Sequence, residues 1–263
     1  TLFRSRSILA VAIVLGLHAC GGGGDKATYT VGGAASGLTG AGLILTLNGA
    51  NINEKIELSA NGGNARFTRD IANIVIDLDD VERIAYRALG GTDTVTVNDL
   101  TGTDVKQVAI DLSAAGGGGD GAADSVIVNG SLGNDTAVLA LVDGAIQVNG
   151  LAAQVGVAGA EAAFDRLTVS GLGGDDTIDA SKLPAAVFLV IDGGSGNDTI
   201  LGSQGADFLS GGDGNDTVTG GGGADSVLLG AGDDLFLWAR GDGSDVIEGQ
   251  ADTDTLRATG GKD

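Results

Sequence analysis

The chain of 263 residues has one cysteine, one histidine, one proline and no methionine, and aromatic residues make up only 3% of it. A single cysteine excludes a disulfide framework and a cysteine-rich zinc site. The only histidine is His18, so no histidine-based triad, H-E-x-x-H zinc site or histidine proton shuttle can be built in the rest of the chain. Basic residues are also few. Fourteen Lys and Arg stand against 35 Asp and Glu, a net charge of −21. Such a polyanion is excluded as a nucleic-acid binder, because phosphate recognition needs a basic patch. Only five of the acids are glutamate (Glu54, Glu57, Glu82, Glu161 and Glu248), so 35 − 5 = 30 are aspartate. With Glu, Lys and Arg all scarce, long helices and coiled coils are not expected. No G-x-S-x-G elbow, P-loop or EF-hand loop occurs. Adjacent acids such as Asp79/Asp80 and Asp175/Asp176 read as turn residues rather than as an acid–base pair.

What the chain has instead is glycine, 49 residues of it, and a 43% apolar fraction rich in Val, Ile and Leu. The glycines follow no G-X-Y period, so collagen is excluded. The charge alone would suit disorder, but short β-branched runs between Gly, Asn and Asp turns read as packed β structure.

The first residues read as an address label. Arg4 and Arg6 precede the apolar run Ile8–Leu17, which is too short to span a bilayer as a helix but suits the core of a signal peptide. Thr1–Ser5 resembles translated adapter sequence rather than part of a natural leader. The run ends at Leu17-His18-Ala19-Cys20, which resembles a bacterial lipoprotein signal. That resemblance implies cleavage after residue 19, lipidation of Cys20 and an extracellular or outer-membrane surface location in a Gram-negative-like bacterium. A secretory leader with an incidental cysteine, or a buried strand, is the alternative. Residues 20–37 read as a Gly-rich tether.

A nine-residue period dominates the C-terminal part. Gly193-Gly194-Ser195-Gly196-Asn197-Asp198-Thr199-Ile200-Leu201 is followed by three near-copies and a weaker fifth. Asp recurs at 198, 207, 216, 225 and 234, and a large apolar residue two later, at Ile200, Leu209, Val218, Val227 and Phe236. Glycines permit tight turns with positive φ, and the three residues after each Asp make a minimal strand with its central side chain inward. This register resembles the nonapeptide of repeats-in-toxin (RTX) calcium-binding proteins. The resemblance implies a parallel β-roll over residues 191–256 in which two nonapeptides complete a coil. Every second unit would then stack, with Asp198, Asp216 and Asp234 on one edge and Asp207 and Asp225 on the other. Carboxylates at the ~4.8 Å strand spacing repel by about 0.9 kcal/mol in water and ~3.5 kcal/mol at an effective dielectric of 20. A cation between the turns would remove that repulsion, and hard oxygens on flexible glycine loops suit Ca²⁺. The implied ligands are the carboxylates of Asp198, Asp207, Asp216, Asp225 and Asp234. Turn carbonyls of Gly193, Ser195, Gly202, Gln204, Gly211, Asp213, Gly220 and Gly222 would complete the set. Phe236 and Trp238 are expected to pack as a cap, and residues 257–263 to form a tail.

Between residues 38 and 190 the period dissolves, but fragments survive, such as Gly90-Gly91-Thr92-Asp93-Thr94-Val95 and Gly173-Gly174-Asp175-Asp176-Thr177-Ile178. The pairs Asp93/Asp104, Asp124/Asp135 and Asp165/Asp176 share one spacing. The expectation is an all-β chain in which a degenerate parallel solenoid runs into the β-roll, with a β-sandwich as the alternative for the middle. Residues 115–121 are expected to form a protruding loop. The functional expectation is a surface-anchored, non-catalytic calcium-binding protein of structural or adhesive type, with a cell-surface or polysaccharide ligand left open. The alternative is a fragment of a secreted enzyme, such as a polysaccharide lyase or an RTX-tailed hydrolase.

Overall fold

A computed structural model of the chain describes the backbone of residues 12–15 and all of residues 44–260. Cys20, the expected tether at 20–37 and most of the expected leader lie outside the described residues. Near the N-terminus, the backbone of Ala12–Leu15 is a strand paired in parallel with Ile44–Asn48. The protein is all-β, and a single 3₁₀ turn at Ile71–Asn73 is the only helical element among the described residues. Two sheets, of twelve and ten strands, face each other along the described chain.

The chain alternates between the sheets, so each pair of strands makes one coil of a parallel solenoid. In the repeat region two nonapeptide units close each coil. Ile191 pairs with Leu209 and Leu209 with Val227, while Ile200 pairs with Val218 and Val218 with Phe236. Strand residues alternate between the two faces, and these six side chains turn inward, with at most 1% of their surface exposed. They stack as two apolar columns in one core that runs on into the middle region through Ile178, Leu189, Val169 and Leu167.

The middle is a solenoid continuous with the β-roll, as expected, but its coils are longer and unequal. Arg166 pairs with Phe188 in the following coil and with Ser125 in the preceding one, nearly twice as far away along the chain. The extra length is spent in two places. Lys55–Asn61 continues through the antiparallel strands Asn64–Arg69 and Ile74–Leu78, which widen the second sheet at its end. Thr136–Val142, Ala145–Asn149 and Gln154–Ala158 form an antiparallel meander inserted within the first sheet. Such hairpins were not expected. They satisfy their backbone groups locally and leave the parallel stacking on either side intact.

The boundaries also differ from expectation. The strand Phe188–Ser195 already pairs in the register of the repeats, so no break falls at 191. Thr255–Thr259 is a strand paired with Leu235–Ala239, so the solenoid runs past 256 into the expected tail. Phe236 is fully buried and Trp238 packs partly against the core.

Because Ile200 fills the column with no exposed surface, Ile200→Ala should leave a cavity and cost about 2–5 kcal/mol. Thr199→Ala, on the half-buried outer position beside it, should cost less than about 1 kcal/mol. Chemical denaturation of both variants in calcium-saturated buffer checks the difference.

Candidate metal centre: two carboxylate ladders

Each strand of the solenoid is entered through a turn, and an acid recurrently sits just before the strand begins. On the edge leading into the first sheet, these acids are Asp135, Asp176, Asp198, Asp216, Asp234 and Asp254. The peptide N–H of each of the first five donates to Oδ1 of the acid one coil on, at 2.7 to 3.2 Å: Asp135 to Asp176, Asp176 to Asp198, Asp198 to Asp216, Asp216 to Asp234, Asp234 to Asp254. On the opposite edge Glu54 donates to Asp93, Asp93 to Asp124 and Asp124 to Asp165. The ladder is interrupted at Val187, which precedes Phe188–Ser195, and resumes from Asp207 to Asp225 and from Asp225 to Asp245.

Every ladder bond uses one carboxylate oxygen. The other is the chemically open one. Oδ2 of Asp93, Asp124, Asp176, Asp198, Asp216, Asp225, Asp234 and Asp245 is buried and has no hydrogen-bond donor. In the repeats it faces the turn. A methyl group placed on Gly193 would collide with Oδ2 of Asp198 and with the Gly211 carbonyl oxygen of the next coil; one on Gly211 would meet Oδ2 of Asp216 and the Leu229 carbonyl. Glycine at the first position of the unit therefore leaves room beside a carboxylate and a carbonyl that converge. The second and fourth positions have positive φ, as at Gly194 (106°) and Gly196 (130°). Leu89, Leu172 and Gln250 hold the same left-handed conformation at the second position without being glycine, so the unit's backbone persists where its sequence does not.

Five of the eight carbonyls named from the sequence have a defined place in the structure. Those of Gly193, Gly211 and Gly220 lie against the first glycine of the preceding coil, at Gly171, Gly193 and Gly202. Those of Ser195 and Asp213 accept from Gly174 and Gly196 at 2.8 and 2.7 Å, which leaves each a second lone pair. At Gly202, Gln204 and Gly222 the structure shows the peptide N–H groups bonded to the Thr219, Leu183 and Ser203 carbonyls.

Asp207 differs from the other four aspartates expected to act as ligands. Serine replaces glycine at the second position of its unit, and Ser203 donates its N–H to Oδ2 at 2.6 Å and its hydroxyl to Oδ1 at 2.9 Å. Both oxygens of Asp207 are thus engaged by its own turn. Oδ2 of Asp135 and of Asp165 is closed in a similar way, by the N–H of Ser131 and of Glu161 at 2.6 Å.

The structure also brings in residues that the nine-residue spacing does not mark. Asp176 and Asp245 are rungs with open oxygens, at spacings of 22 and 20 residues from their neighbours. Asp104 is not a rung; it meets Asp79 and Asp80 at an exposed corner, where water can solvate all three. At the far end of one ladder Glu54 is buried with its own cation: Arg69, also buried, forms an ion pair with Oε1, and the Tyr86 hydroxyl donates to Oε2 at 2.7 Å. The antiparallel strand Asn64–Arg69 exists at that edge and carries the arginine in. The one hint in the sequence is Gly49, which precedes Glu54 by the same interval as Gly193 precedes Asp198.

Burial raises the metal-free carboxyls. Asp216 and Asp225 are pushed up to about 7 and Asp176 to about 6, with the stacked neighbouring aspartates adding to the shift; Asp198 and Asp234 move the same way. Oxygen donors only, in pairs of carboxylates with carbonyls on glycine turns, suit Ca²⁺ better than the stricter Mg²⁺ or nitrogen-seeking transition metals.

Comparison with known families agrees with this chemistry. The RTX calcium-binding nonapeptide repeat matches the chain in four copies, over residues 168–182, 190–209, 201–236 and 241–263. No curated protein gives a significant match.

The shifts fix a sign for pH. A carboxyl raised in the folded state holds a proton that the unfolded chain releases, so its contribution is complete below about pH 4 and is lost as pH rises through 6 to 7. In chelator the melting temperature should therefore be higher at pH 5 than at pH 8. In calcium the order should reverse, because the ion binds the ionised form; thermal melts at both pH values test both halves. Separately, Arg69→Met should destabilise by about 3–5 kcal/mol by leaving Glu54 charged and unpaired, and Glu54→Gln in the same chain should recover much of that loss.

Proposed function

We propose that this chain, an RTX repeat protein by the four calcium-binding repeat blocks in its C-terminal part, is an exported, non-catalytic protein whose solenoid becomes rigid by filling with Ca²⁺. The observation that carries this reading is the row of buried, donorless Oδ2 atoms at Asp176, Asp198, Asp216 and Asp234 on one edge and at Asp225 and Asp245 on the other. These carboxylates, with the Gly193, Gly211 and Gly220 carbonyls, are the groups that would hold the ions. Bound Ca²⁺ supplies the positive charge that the stacked carboxylates lack. The chain's own part is to place the oxygens: the ladder bonds fix each Oδ1, and that orients Oδ2 into the turn.

Export is supported by the lipobox at Leu17–Cys20 and by the company RTX repeats generally keep, in secreted proteins. Affinities of roughly 10⁻⁴–10⁻³ M, usual for extracellular modules, would leave the sites filled only outside the cell. A structural or adhesive role is supported by the chemistry on offer. The one histidine is in the leader, so the solenoid has no histidine base to activate a nucleophile. Its buried aspartates are spent as rungs along two edges rather than facing each other across a cleft.

Calcium titration of the chelated protein, followed by circular dichroism and by ion counting, tests the proposal. The β signal should grow and the melting temperature rise with a midpoint in the range above. Asp198→Asn with Asp216→Asn should lower the ion count and shrink that rise. A β signal and melting temperature unchanged by chelator would overturn it.

A further inference from the structure

Resting on the calcium reading above, we infer that Ser203 withdraws Asp207 from the calcium series, and that the backbone conformation four residues before an acid sets whether its rung takes an ion.

Eight rungs have a buried, donorless Oδ2. At seven of them the residue four before the acid has positive φ, from 72° at Leu89 to 119° at Gly230, and its N–H does not reach the carboxylate. At the three rungs closed by a peptide, Ser131, Glu161 or Ser203 stands in that place. None of these is left-handed, and each donates its N–H to Oδ2 at 2.6 Å. Asp124 is the exception among the open rungs, because the residue four before it lies on the 115–121 loop rather than in a unit turn. That residue, Asp120, accepts from the Ala122 N–H at 2.8 Å and turns Oδ2 toward Gly90, in the turn that leads to Asp93.

The closed rungs stand where ladder segments begin or end. Asp135 begins its ladder, because Thr136–Val142 pairs on its other side with the antiparallel strand Ala145–Asn149. Asp165 and Asp207 flank the gap that Val187 leaves in the other ladder. Among the described residues neither Asp135 nor Asp207 receives an N–H from the coil before it, so the donor comes from its own turn. The pattern S-x-G-x-D supplies it, and it occurs twice in the chain, at Ser131–Asp135 and Ser203–Asp207. In both, the serine hydroxyl accepts from the glycine N–H, at 3.1 and 3.0 Å, and donates to the carboxylate at 2.9 Å. Glu54, which begins the remaining segment, is closed by Arg69. Every segment thus starts on a carboxylate that needs no metal, and the ions are confined to rungs further along.

Apart from the serine, the turn at Asp207 is built like an open one. A methyl group on Gly202 would meet both the Gly220 carbonyl oxygen and Oδ2 of Asp207, as one on Gly193 would meet the Gly211 carbonyl and Oδ2 of Asp198. The same carboxylate and carbonyl converge; what differs is the N–H that already occupies the carboxylate.

The test is equilibrium dialysis of the full chain against Ca²⁺ alone, with the bound ions counted, together with thermal melts in chelator. Ser203→Gly removes the hydroxyl and lets this position take positive φ. It should bind one ion more than the wild type, and in chelator it should melt lower. Ser203→Ala keeps the ordinary backbone hand and with it the N–H bond, so its count should equal the wild type's. A folded Ser203→Gly protein with the wild-type count overturns the inference, as does a Ser203→Ala count that rises equally. A wild type that binds no ion overturns the calcium reading itself, and this inference with it. Should Ser203→Gly not fold, the reverse change serves. Leu172, with φ 74°, stands four before Asp176, and Leu172→Ser writes S-x-G-x-D ahead of that rung. It should bind one ion fewer while circular dichroism stays native; a count identical to the wild type's overturns the inference equally.

Discussion

A carboxylate has two oxygens, and in a parallel solenoid the coil stacked against it offers one peptide N–H. The first oxygen is therefore satisfied by the fold itself, and the second must be satisfied by something else. Along the two ladders that second partner takes several forms. A peptide N–H from the same turn closes Asp135, Asp165 and Asp207. An arginine delivered by an added hairpin closes Glu54. The other rungs except the terminal Asp254 have an open oxygen buried beside a turn, and there the choice is between a proton and a metal ion. The raised carboxyls of Asp216 and Asp225 express that choice in the metal-free protein. An unpaired buried charge is costly enough that calcium belongs to the fold rather than to its surface.

The turn follows from the same constraint. A carboxylate with a free oxygen aimed inward, and a carbonyl from the next coil beside it, leave no volume for a side chain at Gly193 or Gly211. Where the second position is not glycine, the consequence depends on how the chain responds. Leu172 and Leu89 accept positive φ and keep the turn open, so Asp176 and Asp93 retain free oxygens. Ser203 instead brings its N–H and hydroxyl onto Asp207 and uses up both. One substitution at one position thus separates an open rung from a closed one.

The coils themselves need not be equal. Some ladder bonds join acids two nonapeptides apart, as from Asp198 to Asp216, and others span more than twice that length, as from Glu54 to Asp93 or from Asp135 to Asp176. What recurs along the ladders, except at Val187, is the sequence of events: turn, acid, strand. Material inserted between those events becomes a hairpin or a loop on the outside, and the 115–121 loop and the Asn64–Arg69 strand both return a charged side chain to the ladder they bypass.

The sequence by itself determined the β class and the nine-residue unit. It also placed Ile200, Leu209, Val218, Val227 and Phe236 inward and stacked Asp198, Asp216 and Asp234 on one edge. All of this is local, since a unit that repeats every nine residues carries its turn, its acid and its core residue within one stretch of chain. Asp93, Asp124, Asp165 and Asp176 were visible as fragments, but their alignment was not, because unequal lengths of chain separate these rungs from their neighbours and leave no period to read. The left-handed turns at Leu89 and Leu172 were hidden because the residue there is not glycine. Only the tertiary structure decided which carboxylate oxygens are satisfied and by what. That depends on neighbours from other coils, such as Arg69 on Glu54 and Asp120 beside the turn that leads to Asp93. The partner of a buried charge is set by what the fold packs against it and not by the residues on either side.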